Sequence, residues 1–333
     1  MTKRKSFLLF FLSIALGLPL WNCAGTYHGA TETYVLVATN TKIPYWQAAA
    51  AGLNRAAAQL KVKADFVGPE TYDPAAQRDE FRRVVSKKPT GILVSPADPE
   101  MMRPEIDAAI AKGIPVVTID SDAPASKRLF YVGTDNYQAG LMGARQAVEH
   151  LKGKGNVVVF TMPGQANLSD RLRGYREVFA AHPQIKITEV VDIKGDPTVA
   201  FDRTMEIAEK APASVDGFVC MEALACEEVA EVLDRNRITG KVIVAMDADD
   251  STLDWIRKGS IVATVGQKPF TMAYTAVRML DDVHHNGPAS LGQNWQADPV
   301  SPLPVFVDTG VFLVNRANVD AFAKARQAVA AGK

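Results

Sequence analysis

The chain has 333 residues, 47% hydrophobic and 22% charged, which supplies apolar side chain for two cores of ordinary domain size. Its 37 Lys and Arg balance 37 Asp and Glu, so no global field draws it to nucleic acid or to an anionic membrane surface.

Residues 1–25 read as an export signal. Lys3-Arg4-Lys5 precedes the apolar run Phe7 to Leu20, a charged n-region and a short h-region that is too brief to span a bilayer comfortably. Cys23 directly follows that run, so two maturations stand open: a lipid anchor on Cys23, or cleavage near Ala24 or Gly25. Either places the mature protein in the periplasm or on the extracytoplasmic face.

From Tyr34 onward strands alternate with helices. Tyr34 to Thr39 predicts a strand and Pro44 opens a helix; strand 64–67, helix Pro74 to Ser86, strand 91–95, helix Glu100 to Lys112 and strand 115–119 follow. After Leu129 to Val132 and a helix from Tyr137 to Leu151, the alternation restarts at strand 156–160. It continues through helix 168–181, strand 185–191, helix 197–210, strand 215–219, helix Glu222 to Arg235 and strand 242–246. The remainder holds strand 261–265, a helix from Pro269 to His285, a Gly/Pro-rich stretch and two short strand-like runs at 305–307 and 312–314.

Short strands alternating with helices imply parallel sheets with right-handed crossovers. The fold class is therefore α/β, with two similar doubly wound, Rossmann-like domains and a ligand cleft between them. Residues 31–134 with 267–294 are expected in the first domain and 135–266 with 295–333 in the second. Cys220 and Cys226 are compatible with a local disulfide or with two buried thiols, the second being the plainer expectation. The histidines and cysteines show no zinc-ligand spacing, and neither metal nor cofactor is expected.

Ligands of open α/β sheets bind outside the carboxyl ends of the strands. Here those ends carry Thr39 to Trp46, Ser95, Asp120 to Asp122, Met162 to Arg171, Met221-Glu222, Asp247 to Asp250 and Gln267. They lack a dinucleotide fingerprint, a P-loop and a nucleophile elbow. Aromatic rings with carboxylates, amides and a guanidinium suit a sugar, whose C–H faces stack while its hydroxyls hydrogen-bond.

Seven motifs carry a resemblance. They are Ile43-Pro44-Tyr45-Trp46, Val94-Ser95-Pro96, Gly113 to Asp120, Val132-Gly133-Thr134-Asp135-Asn136, Arg171-Leu172-Arg173-Gly174-Tyr175, Met246-Asp247 and Thr264-Val265-Gly266-Gln267. In this order, from Tyr34 to the carboxyl terminus, the chain resembles periplasmic sugar-binding proteins of ABC importers of the ribose- and galactose-binding type, which share their core with LacI-type repressors. The resemblance implies that Tyr45 and Trp46 stack on a sugar and that Asp120 accepts hydroxyl bonds with Ser95 nearby. Arg171 would come from the second domain, Asp247 would be its acidic counterpart and Gln267 would lie at a hinge crossing. Asn167 would add an amide, and Asp122 is either a second acceptor or a turn residue. Hinges are expected near Thr134-Asp135, Gly266-Gln267 and the 290s.

The chain departs from the ribose-type pattern. Lys42-Ile43 stands where those proteins carry Asn, Glu222 where they carry another Asn, and Ser121 where an Arg is common, so ribose is not the expected ligand. The expected function is capture of a monosaccharide or polyol by a monomer that delivers it to a membrane permease, without catalysis and without nucleic acid. The alternatives are a receptor for an autoinducer-2-type furanose and the ligand-presenting component of a sensing system. An enzyme using Asp247, Asp249 and Asp250 as metal ligands is disfavoured, because those acids sit where a helix N-terminus is expected.

Overall fold

The computed structural model describes residues 27–29, 31–287 and 295–330. The expected export signal with Cys23, and residues 288–294, lie outside them.

The first run comprises β1 (Thr33–Val37), α1 (Pro44–Leu60), β2 (Lys63–Val67), α2 (Pro74–Ser86), β3 (Gly91–Val94), α3 (Pro99–Ala111), β4 (Val116–Ile119) and β5 (Tyr131–Gly133). The second comprises α4 (Asn136–Leu151), β6 (Gly155–Thr161), α5 (Ala166–Ala180), β7 (Ile185–Asp192), α6 (Pro197–Lys210), β8 (Gly217–Cys220), α7 (Ala225–Arg235), β9 (Val242–Met246), α8 (Asp250–Lys258) and β10 (Ala263–Gly266). The chain ends with α9 (Pro269–Asn286), β11 (Phe306–Asp308), β12 (Phe312–Asn315) and α10 (Val319–Ala330).

Two six-stranded sheets result, in the orders β11-β5-β4-β3-β1-β2 and β12-β10-β9-β8-β6-β7. Every pairing is parallel except β10 with β12. The two orders correspond strand for strand, so each position at the carboxyl end of one sheet has a counterpart in the other. β3, β4, β8 and β9 are buried throughout, as apolar strands covered on both faces must be. Helix starts follow local chemistry: proline opens α1, α2, α3, α6 and α9. The carboxylates of Asp73, Asp98, Asp135, Asp196 and Asp249 each accept a backbone N–H at a helix N-cap. The N-cap at Asp249 is the role its place before a helix implies.

Among the described residues the chain crosses between lobes three times: from β5 to α4, from β10 to α9, and from β11 to β12. The third crossing corrects the expected division. Trp295 packs in the core of the first lobe and β11 pairs with β5, so residues 295–308 belong with the first sheet rather than the second. The crossing falls at Thr309, Gly310 and Val311, beyond the 290s. It is tied to the first crossing, because the Asp308 carboxylate accepts the Asp135 N–H at 3.1 Å and Thr309 N–H donates to the Gly133 carbonyl at 2.8 Å. Cys220 and Cys226 form a disulfide, replacing the expected pair of free thiols. The bond closes the turn that carries Met221 and Glu222.

Candidate functional site: a polar cleft between the lobes

The carboxyl ends of both sheets face one cavity, with about 520 Å³ of empty space that includes open solvent at its mouth. The first lobe contributes Asn40, Tyr45, Trp46, Tyr72 and Asp120, and the second contributes Gln165, Asn167, Arg171, Glu222 and Asp247; Gln267 comes from the second crossing. The lobes meet at its rim, where a Cβ on Gly195 would stand 2.3 Å from the Tyr72 Cβ. With φ at +75° and that contact, only glycine suits the position. Asp120 and Asp247 are 6% and 8% exposed, so the cleft is closed over its carboxylates.

Asp120 and Asp247 end β4 and β9, corresponding strands, and both adopt left-handed φ, 62° and 68°. Asp tolerates that conformation better than most residues. In both lobes a hydroxyl from the next strand secures the turn. Tyr131 donates to the Asp120 carbonyl at 2.6 Å, and Thr264 donates to the Asp247 carbonyl at 2.5 Å. The Asp120 carboxylate accepts from Tyr45 Oη at 2.6 Å and Ser95 Oγ at 3.0 Å. Burial pushes its carboxyl above the usual range, against the nearby Arg171 guanidinium and these two hydroxyls. Asp247 accepts from Gln267 Nε2 at 3.0 Å and is pushed up to about 7 by burial, with Arg171 and Gln267 acting the other way. Burial also pushes Glu222 up to about 7, although its carboxylate accepts the N–H groups of Leu224 at 2.5 Å and Ala225 at 3.2 Å.

Arg171 enters from the second turn of α5. Its Nε donates to Asn136 Oδ1 at 2.8 Å and its Nη1 to the Met221 carbonyl at 2.5 Å. Nη2 is buried with no partner among the described residues, as is Gln267 Oε1. Asn136 also donates to Tyr131 Oη at 3.3 Å and to the Thr134 carbonyl at 3.0 Å. One amide at the first crossing thus holds the arginine of one lobe and the tyrosine that secures Asp120 in the other.

Eight of the ten sequence-derived residues line the cavity: Tyr45, Trp46, Asp120, Asn167, Arg171, Glu222, Asp247 and Gln267. Trp46 does so from within the first lobe's core, at 2% exposure. Ser95 is fully buried behind Asp120 and reaches the cavity only through its hydrogen bond. Asp122 does not face the cavity. It binds Arg128 through Nε and Nη2 and accepts from Thr118 Oγ1 at 2.6 Å, so its reading as a second acceptor is corrected to a structural ion pair. Glu222 stands ahead of α7 rather than inside the helix expected from that position, because its carboxylate occupies the helix's first free N–H groups. Tyr72 and Gly195 were missed; their loops carry no motif, and only the approach of the lobes joins them. Asn136 read as a hinge residue, with no signal of its bond to Arg171.

Two matched α/β lobes, three crossings and a buried polar cavity between them define a two-lobed ligand-capturing protein. The chain belongs to the periplasmic binding protein domain family, whose sequence profile matches residues 34–287. It is similar to the D-allose-binding periplasmic protein of Escherichia coli strain K12, with 25% identity over 294 residues, spanning 85% of this chain and 93% of that protein. It is also similar to the D-apiose import binding protein of Paraburkholderia graminis, with 24% identity over 275 residues, 82% of this chain and 87% of that one. Among solved structures, AraP, an arabinose binding protein from Geobacillus stearothermophilus, aligns with a TM-score of 0.71 at 32% identity, over 87% of this chain and 99% of that one. GanP, a glucose-galactose binding protein from the same organism, aligns with a TM-score of 0.78 at 28% identity over the same shares.

Proposed function

We propose that the protein captures a monosaccharide or polyol outside the cytoplasm and delivers it to the permease of an ABC importer. The observation that carries this reading is the set of buried hydrogen-bonding groups left over at the cleft between the lobes. Arg171 Nη2 and Gln267 Oε1 are buried without partners, and carboxylates of opposite lobes flank the same space. A buried polar group without a partner costs about 1–3 kcal/mol. A polyhydroxylated ligand relieves several such costs at once, since each hydroxyl both donates and accepts. Tyr45, half-buried and edge-on to Trp46 at 5.2 Å, gives the sugar's C–H face an aromatic wall.

Ligand contacts from both lobes supply the differential affinity that favours closure, and the three crossings are where the backbone turns. The geometry serves binding, not catalysis, and the protein acts as a monomer. Relatives named for allose and apiose support a sugar of five or six carbons. Lys42 and Glu222, standing at positions where ribose-type proteins carry amides, argue against ribose. The test is calorimetry of protein stripped of bound ligand against pentoses, hexoses and polyols, with mass spectrometry of whatever the untreated protein releases. Micromolar or tighter binding of at least one is expected, and silence across the panel would defeat the proposal.

A further inference from the structure

At the amino end of β1, away from the cleft, four potential metal ligands meet. His28 and Glu32 come from the segment before β1, and Asp281 and His285 lie one turn apart near the end of α9. One ligand atom from each falls within 4.8 Å of all the others. His28 Nε2 is 3.0 Å from Asp281 Oδ2, His285 Nε2 is 3.1 Å from Glu32 Oε2, and His285 Nε2 is 3.8 Å from Asp281 Oδ1.

We propose that these four side chains bind a divalent transition cation of the Zn²⁺ type. Zinc takes histidine nitrogen and carboxylate oxygen at about 2.0–2.2 Å in a tetrahedron, whose edges are then roughly 3.4 Å. The two histidine–carboxylate pairs at 3.0 and 3.1 Å are close to that length and all four ligand atoms lie within 4.8 Å of one another, so a cation would draw the wider pairs inward. Both histidines present Nε2 to the centre, and both carboxylates are 8–11% exposed. Support surrounds the ligands as metal sites require. The fully buried Tyr34 donates to Asp281 Oδ1 at 3.1 Å, and Tyr27 stacks on the His285 ring at 4.5 Å. Four protein ligands leave no open position, so the site is structural and clamps the segment before β1 to α9. Each of its two histidine–carboxylate pairs joins residues 253 apart, which hides the cluster from any search by spacing.

The test is Zn²⁺ binding by the whole exported protein after chelator treatment, measured by competition with a chromophoric chelator and by elemental analysis. One equivalent is expected. Outer-shell changes already cost about 10–100-fold in metal affinity, so His28→Ala should cost at least about a hundredfold. The His28→Ala/His285→Ala double variant should lose the equivalent while binding sugar as before, which shows that it folds. Co²⁺ should give the intense visible bands of tetrahedral coordination in the wild type and not in the double variant. Equal Zn²⁺ binding by wild type and double variant, or no equivalent in the wild type, would overturn the proposal and leave two histidine–carboxylate hydrogen bonds in its place.

Discussion

Arg171 is the residue on which the two lobes' chemistry converges. Asn136 and the Met221 carbonyl hold two of its nitrogens, and the third is buried without a partner among the described residues. Arg171→Ala should weaken sugar binding by about 2 kcal/mol, roughly thirtyfold, with calorimetry as the measure. Arg171→Lys should not rescue it, because a point-like ammonium cannot reach Asn136, Met221 and a ligand at once. Asp122 makes the opposite case. Asp122→Ala strands Arg128, which is only 4% exposed, and should cost about 3 kcal/mol in urea denaturation while leaving sugar affinity unchanged. A fall in affinity equal to that of Arg171→Ala would return Asp122 to the site. The sequence exposes Asp120 because it ends an apolar strand; it cannot separate Asp120 from Asp122. Strand alternation would place both on one face, but the left-handed turn at Asp120 breaks the alternation and sends Asp122 to Arg128.

At the scale of elements, helix contacts set the arginine's position. A Cβ on Gly140 of α4 would meet the Arg171 carbonyl of α5 at 2.2 Å, and one on Gly174 of α5 would meet the Tyr137 carbonyl at 2.5 Å. The helices therefore approach backbone to backbone, and no rotamer change relieves an added methyl. Gly140→Ala gains about 1 kcal/mol of helix propensity but incurs about 1–3 kcal/mol of overpacking, so a net loss of about 1 kcal/mol is expected in denaturant. Sugar affinity should fall with it, since the carbonyl being pushed belongs to Arg171. Unchanged affinity would mean that the contact is only structural. Most elements could be read from apolar runs, prolines and N-cap aspartates, all local signals. The sheet membership of β11 could not. Its three residues are half-buried to exposed, and parallel pairing to β5 across more than 170 residues leaves no local trace.

For the whole molecule, the closed cleft couples shape to protons. In the closed cleft Asp247 is raised from 3.8 to about 7 and Glu222 from 4.5 to about 7, because burial penalises the charged form. An opening that brings water to both carboxyls would return them toward ordinary values. A carboxyl whose pKa is raised in the closed state favours that state fully below its ordinary value, and the contribution is lost as pH climbs through the raised value. For Asp247 the interval between 3.8 and about 7 is worth on the order of 4 kcal/mol, an upper bound when water enters the cleft. Ligand-free protein should therefore be more compact near pH 4 than near pH 8, with the stabilisation lost progressively between about 4 and about 7, and small-angle scattering measures it as the radius of gyration. Asp247→Asn should flatten the profile, leaving the Glu222 share. Saturating sugar should hold the protein closed throughout, since hydroxyls donating to the carboxylates stabilise their ionised forms inside the cleft. A radius independent of pH in the ligand-free protein would mean that the carboxyls stay solvated, and that closure is governed by contacts such as Tyr72 on Gly195 alone.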